Sequence, residues 1–499
     1  MNNLYNNKLI RLVVLMIVMT AVSCDDLLEE NPKDFISPEN FYQTEADALT
    51  AVAGMYARWS SGDLFGRDLE MITMHGDPAV SPNRVITLAQ SRYDYTSTFG
   101  DFADIWESLY RIIGDANKAV GRLEVSELAQ EDKDQFIGEA LFNRSLAYYY
   151  LSSLFGDVPL WTEELTNNAD EIASLSRTAV SEVRAQIIAD LIRAAGLLPE
   201  SYDDNFDKVR ATRWAAKALL AKTYLYQQEW SNAAQQAADI IADSNHDLLS
   251  NYANVFTEAN EYSNEIIFTV DFQQELVTTS KGQRYAPRKK DEKKANREDW
   301  MTGFGHYVVR QSFIDTYDPA DDRLNAVIQD TNNNGDNLNF TYLRKMQRTA
   351  NSTDKQGLNM VLFRFADILL VHAEAANEDN DQAGALTSIN RVRQRAGLAD
   401  LSGLDQVQLR LAIRQERAWE LIGENQTKLD LMRWGTLVSE IKALPAKVAA
   451  AGEKKGLVDM AQIQADNIAD KHLLLPVPQA EFEKNPSLGQ QNPDWDGGL

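Results

Sequence analysis

The sequence predicts a mainly α protein in which antiparallel helical pairs form the scaffold and an inserted loop-rich region carries small β elements. Three observations predict it. Two stretches, within Val209–Ala242 and Arg364–Gly397, carry small and apolar residues at helical spacing. Leu220, Ala221, Tyr224, Ala233 and Ala237 in the first, and Ala373, Ala376, Ala385, Ile389 and Val392 in the second, fall at offsets close to those of a tetratricopeptide unit, whose small residues let two helices approach. Between the copies, Glu265 to about Leu362 changes in kind: Ile266–Val270 and Phe340–Leu343 have strand character, and Asp330–Gly335 is dense in turn residues. The copies lie about 150 residues apart, which points to a helical scaffold with a large insertion rather than an uninterrupted solenoid.

Taken in order, the chain opens with Lys8 and Arg11, an apolar run from Leu12 to Met19 and small residues up to Ser23, the pattern of a secretory signal. The run is too short for a comfortable membrane span. The only cysteine, Cys24, follows at once, so the sequence predicts lipidation there, with a buried structural thiol as the competing reading. A polar tether leads into a helix with Pro38 and Glu39 in its first turn and Ala46, Leu49, Val52, Ala53 and Tyr56 on its apolar face. Periodicity then fades from Gly62 to Asp104, and a loop-rich stretch of that length inside a compact protein is usually functional. Helices resume at Ile105, with Trp106, Leu109, Tyr110 and Ile113 on one face, and over Asp134–Leu154, where Gly156 and Pro159 end the helix. Near the end, Leu409–Gly435 predicts a helix, a turn at Asn425 and a second helix. Its apolar positions Leu411, Ile413, Ala418, Leu421 and Ile422 should hold other helices, while Arg414, Glu416, Arg417 and Glu420 pair between turns.

Composition narrows the function. With 44% hydrophobic and 25% charged residues the chain is an ordinary globular one, and a net charge of −25 offers no basic stripe for DNA or RNA. A single cysteine allows no disulfide within the chain. The five histidines are scattered, and no H-E-x-x-H, G-x-S-x-G or P-loop pattern occurs, so the sequence predicts no enzyme.

IRQERAWEL, GEN and KLDLMRWG between Ile413 and Gly435 resemble the signature of the SusD/RagB family of outer-membrane nutrient-binding lipoproteins. Other blocks are similar to the family's in the same order: Phe41-Tyr42 with Ala51–Tyr56, Glu139–Arg144 with Gly156–Leu160, and the closing stretch from Leu473 to Pro493. Asn425 and Thr427 depart from the Gly and Arg of many members, and Ala21 from the Leu of many lipoboxes. The resemblance implies a lipoprotein signal at 1–23, a lipidated tether at 24–40 and one SusD-like unit at 41–499. Within that unit the helical parts would be about 41–61, 105–264 and 363–445, and the ligand-binding loops about 62–104 and 265–362. It also implies a protein anchored by acylated Cys24 to the outer membrane and facing the cell exterior. There it would capture oligo- or polysaccharide and pass it to a SusC-like TonB-dependent transporter. The main rival is a peptide-binding member with the same partner, and a surface hydrolase is the reading from another class.

In SusD-like proteins the glycan site is built mainly from aromatics in the loop before a W-x-x-L-Y helix, here starting at Trp106, and in a later loop before a stretch like Tyr317–Arg323. The first loop here offers His75, Asn83, Arg84, Tyr93 and Tyr95, and the second Tyr285, Trp300, Phe304 and Tyr307. Flat aromatic faces suit sugar rings, and planar polar groups suit their hydroxyls. Core packing is the alternative for each ring, and it is the expected role of Trp106, Trp214, Trp230, Trp419 and Trp434 on helical faces. Tyr93 and Tyr95 also have the spacing of a strand face. No cofactor is expected, with one qualification: Asp330, Asn332 and Asn334 alternate like the start of a calcium loop, yet Thr341 stands where that loop needs Glu, which favours a polar hairpin turn. Arg288, Lys289, Lys290, Lys293 and Lys294 form either a solvated loop or a contact for an acidic polysaccharide, and the chain's acidity argues for a neutral ligand.

Overall fold

The computed structural model describes residues 41–74, 78–82, 89–165, 168–202, 208–272, 284–287, 304–331, 337–345 and 359–495. The main helices are α1 (Glu45–Trp59), α2 (Asp68–Met74), α3 (Gly100–Glu124), α4 (Gln130–Phe155), α5 (Val180–Leu197), α6 (Arg213–Tyr226), α7 (Trp230–Asp243), α8 (Phe365–Glu378), α9 (Gln382–Arg395), α10 (Gln406–Leu421), α11 (Thr427–Arg433), α12 (Leu437–Ala450) and α13 (Lys455–Asn467). Local chemistry sets their ends. Thr44 and Asp47 form a capping box at the start of α1, with bonds of 3.2 Å and 2.9 Å that satisfy two otherwise orphan backbone N–H groups. Gly156, at φ +75°, closes α4 where a side chain would meet Leu474.

From α3 to α9 each helix packs against the next, and this continuity survives the insertion because α7 packs directly on α8. Ala233 and Ala237 of α7, and Ala373 and Ala376 of α8, are fully or almost fully buried, which is how backbones of the two tetratricopeptide-like pairs come close. The scaffold is thus one continuous stack of helices in space although it is split in sequence.

The strands explain how the insertion is attached. They are β1 (Val80–Pro82), β2 (Val158–Pro159), β3 (Arg177–Thr178), β4 (Ile266–Val270), β5 (Tyr307–Val309), β6 (Ile328–Thr331), β7 (Asn337–Leu343) and β8 (Met360–Arg364). Strands β4 and β8 pair antiparallel, are buried along their whole length and lead straight into α8, so the insertion leaves and returns through one apolar ribbon. A four-stranded sheet in the order β1-β5-β7-β6 joins the two loop-rich regions, since β1 comes from the first and the other three strands from the second. Beneath it lies a small separate core that includes Met74, Val80, Tyr285, Tyr307, Val309, Leu343 and Ile422. Strands β6 and β7 pair antiparallel, with Asp330 inside β6 and residues 332–336 between the two strands outside the described residues.

The Leu409–Gly435 segment has the predicted helix, turn and helix, with Gly423 at φ +79° and Asn425 at φ +60°. Its charges do the opposite of what periodicity suggests. Leu411 is 61% exposed, whereas Glu416, Arg417 and Glu420 are buried and pair with other elements rather than between turns of α10. Glu420 accepts from Arg364 at 2.5 Å and Arg323 at 2.9 Å and also pairs with Arg395. Arg364 reaches Glu424 at 2.7 Å and Glu265 at 2.9 Å, and Arg417 bridges Asp430 at 2.9 Å and Asp367 at 3.0 Å. Lys222 of α6 then holds Asp367 at 2.7 Å. The carbonyl oxygens at the end of α10 accept from Arg364 and Lys345, cations placed where the helix dipole is negative. Buried ions are tolerated because each is paired and hydrogen-bonded, and the network ties the scaffold, the ribbon and the insertion to one helix.

Candidate functional site

The register of β1 against β5 fixes the geometry of the candidate site. Val80 lies opposite Val309 and Pro82 opposite Tyr307, so β1 ends at the end of the sheet where β5 begins. Just before β5, Gly305 and His306 donate backbone bonds of 2.9 Å and 2.7 Å to Ala286 and Arg284. These bonds clamp together the two ends of the stretch that contains Trp300. The two loops that the sequence singled out therefore depart from one sheet edge.

Phe304 stands at that edge, 43% exposed, and is the one aromatic ring among the large exposed hydrophobic residues that the structure describes. It stacks on His306 at 5.5 Å and 27° between planes, while Gly305 between them adopts φ +56°, a conformation costly to other residues. The pair presents a short flat platform with an imidazole at its side.

Tyr285 and Tyr307 are corrected by the structure. Both are fully buried, with ring centroids 4.6 Å apart, and neither offers a face to a ligand. The cause is Glu70 of α2, a buried carboxylate far away in sequence: it accepts from the Tyr285 hydroxyl at 2.7 Å and pairs with Arg284. Burial first, then the Glu70 charge, pushes both phenols well above their ordinary pKa, so they remain neutral, Tyr285 donating to Glu70 and Tyr307 accepting from Arg284. Their role is to support the sheet beneath Phe304.

Tyr93 and Tyr95 are corrected too. They are 3% and 8% exposed and lie neither in a strand nor on an open surface. Both pack edge-on against His472, at 5.4 Å and 5.3 Å, and Tyr95 stacks on Trp495 at 5.4 Å. The C-terminal tail covers the faces that a sugar would need. Burial, reinforced by Lys471, holds the His472 imidazole down to about 4, so it stays neutral.

His75, Asn83, Arg84 and Trp300 lie outside the described residues, as do Cys24, Asn332, Asn334 and the basic run from Arg288 to Lys294. Asp330 is described and exposed, at the third position of β6. The tryptophans expected to pack on helical faces do so: Trp106 and Trp214 are buried, and Trp230 and Trp434 lie half-buried against the main core. Trp419 packs on Tyr317 at 5.6 Å and donates to Thr316 at 3.0 Å. Sequence reading missed Glu70 and Arg284, and no local signal marks them, because their partnership exists only once α2 meets the insertion. Among the described residues, the carboxylates spaced closely enough for a metal are Asp63, Asp68 and Asp104. Arg67 and Ser108 already occupy two of them, at 2.5 Å and 2.7 Å.

A continuous stack of helices carrying an insertion with an exposed ring at its small sheet is the arrangement of a scaffold rather than of a catalytic cleft. Residues 324–495 match the SusD family, and residues 27–225 match a family described as starch-binding associating with outer membrane. The chain is 30% identical to SusD-like protein P25 of Formosa agariphila, with 96% of this chain and 97% of the relative covered. It is 29% identical to SusD-like protein P2 of the same organism, over 98% of this chain and all of the relative. The chain belongs to the SusD family, whose members are binding proteins rather than enzymes. Among solved structures, a SusD homolog from Bacteroides thetaiotaomicron superposes with a TM-score of 0.82 at 23% identity, covering 92% of this chain and 98% of its own. A laminarin-binding SusD-like protein superposes with a TM-score of 0.75 at 24% identity, covering 91% of this chain and all of its own. No helix among the described residues is long and apolar enough to cross a membrane.

Proposed function

We propose that the protein is a cell-surface glycan-binding lipoprotein, held to the outer membrane by acylated Cys24. It captures oligo- or polysaccharide and hands it to a SusC-like TonB-dependent transporter, with no bond made or broken. The observation that carries the reading is the exposed Phe304 ring at the sheet edge from which both candidate loops depart. A flat apolar face suits a sugar ring, and polar side chains beside it would suit the ring's hydroxyls. His306 and Phe304 supply the described part of the platform, and the reading assigns Trp300, His75, Asn83 and Arg84, which lie outside the described residues, to complete it. The full-length relationship to SusD-like proteins and the laminarin-binding neighbour support the ligand class.

The test is retardation of the full chain, kept in detergent, in native gels containing a panel of neutral polysaccharides, beside Phe304→Ala and Trp300→Ala. One glycan should slow the protein, and each variant should lose most of that effect. Retardation by no glycan, together with binding of a peptide that Phe304→Ala abolishes, would replace the ligand class with peptide.

A further inference from the structure

A second cavity, of about 670 Å³, opens where the end of α4, the start of α5 and the C-terminal tail meet. None of its lining residues comes from the two loop-rich regions. Three arginines line it, and they differ in their charge partners. Arg433 is neutralised by Glu374, at 2.5 Å and 2.7 Å, and by Asp430 at 2.9 Å. Among the described residues Arg177 directs its guanidinium at neutral oxygens: the Asp157 and Gln490 carbonyls, each at 2.7 Å, and the Asn492 side chain. Arg184 forms no ion pair among the described residues and sits 5.1 Å over the Tyr226 ring.

The one carboxylate in the lining is Asp157, and its Oδ1 already accepts from the Val180 backbone at 2.8 Å. Two partly desolvated guanidiniums therefore face one engaged carboxylate, a local excess of positive charge in a chain of net charge −25. Burial, the leading influence on both, lowers the pKa of Arg177 and Arg184. A cation withdrawn from water without a counter-ion is unfavourable, and the planar fork of Arg matches the oxygens of a carboxylate or sulfate. Ser152, Ser153 and Gln490 add neutral polar groups around the same space, and Met432, Leu473 and Leu488 add apolar wall.

We propose that this cavity binds the carboxylate or sulfate ester of an acidic saccharide, with Arg184 as the principal anion contact and Arg177 beside it. The choice of a saccharide as carrier rests on the glycan-binding reading above; the anion chemistry follows from the arginines alone. Local field, not net charge, sets what enters a cavity, so a strongly acidic chain can hold an anionic ligand here.

The test titrates the full chain in detergent with glucuronate, glucose 6-sulfate and glucose, followed by ligand-observed NMR, for wild type, Arg184→Gln, Arg184→Lys and Phe304→Ala. At least one acid should bind, and glucose should bind about tenfold or more weakly. Arg184→Gln should weaken the acid about tenfold to a hundredfold, the weight of one charge-assisted hydrogen-bonding group. Arg184→Lys should retain part of the binding, Phe304→Ala all of it, and added salt should weaken it. Whichever acid binds more tightly identifies the anion. Arg184 makes no hydrogen bond among the described residues, and an unchanged thermal midpoint in Arg184→Gln checks that folding does not depend on it. Equal binding of glucose, no binding of either acid, an unaffected Arg184→Gln, or an acidic peptide that outcompetes both sugars at this site would each overturn the proposal. The gels with neutral glycans report on the Phe304 site independently: if they succeed while glucuronate and glucose 6-sulfate fail, only the arginine cavity falls. If they fail, the glycan-binding reading falls with them.

Discussion

Replacing Glu420 with Gln tests whether the buried ion network, rather than apolar packing alone, holds the insertion to the scaffold. The substitution keeps the side chain's shape and removes a charge that faces Arg364 at 2.5 Å, Arg323 at 2.9 Å and Arg395. Removing one partner of a buried pair costs about 3–5 kcal/mol. Here each arginine keeps another carboxylate: Arg364 keeps Glu424 and Glu265, Arg323 keeps Asp321 and Glu416, and Arg395 keeps Glu265. The loss should therefore fall near the lower end, about 3 kcal/mol. Urea unfolding followed by tryptophan fluorescence measures it as a fall in the midpoint at unchanged slope. A second arm uses pH. The Glu420 carboxyl is held well below its ordinary pKa because Arg395, Arg364 and Arg323 outweigh its burial. Its stabilisation is complete above the unfolded carboxyl pKa of about 4.3 and fades as pH falls below it, so the gap between wild type and Glu420→Gln should narrow under acid. A loss under about 1 kcal/mol at neutral pH, or a gap that does not depend on pH, would show that the network carries little of the stability.

Three further predictions are read by similar means. Phe304→Ala should cost less than about 0.5 kcal/mol, because its ring is exposed, whereas Tyr307→Ala should cost about 3–5 kcal/mol by emptying the small core; urea midpoints separate the two. Gly423→Ala should cost about 1–3 kcal/mol in thermal or urea unfolding, since φ is +79° and the new Cβ would stand 2.6 Å from Leu343. His472 has a folded pKa of about 4 against an ordinary value of 6.5, so its contribution is complete above 6.5 and fades as pH falls towards 4; His472→Phe should flatten that part of the stability profile.

The helical pairs were legible in the sequence because their signal is local: Ala233, Ala237, Ala373 and Ala376 report a close approach through their own small size. The turn at Asn425 was legible for the same reason, since few residues accept a positive φ. Periodicity could not show which face of α10 is buried, because a row of charges looks the same whether it meets water or the charges of other elements. Only the fold brings Arg323, Arg364 and Arg395 to Glu416 and Glu420. The tyrosines failed on similar grounds. A phenol in a glycine-bordered loop suggests a ligand contact, and what withdraws Tyr285 into the core is Glu70, 215 residues away. Phe304 meets no such distant partner among the described residues and stays exposed.

The pairing of β1 with β5 also sets which stretches of the chain would have to move together if the proposed site were exchanged between relatives. The β4–β8 ribbon makes the insertion look portable, a cassette to be cut at two adjacent points. Moved alone, it would arrive without the edge strand β1, with β5 unpaired on that side and Tyr285 parted from Glu70. A graft would therefore be discontinuous: it must carry two separate stretches of the chain, roughly 62–104 and 265–362, and the scaffold that receives them must supply the ribbon's neighbours, the charges of α10, the Gln464 that holds Arg310, and the His472 and Trp495 rings that cover Tyr93 and Tyr95.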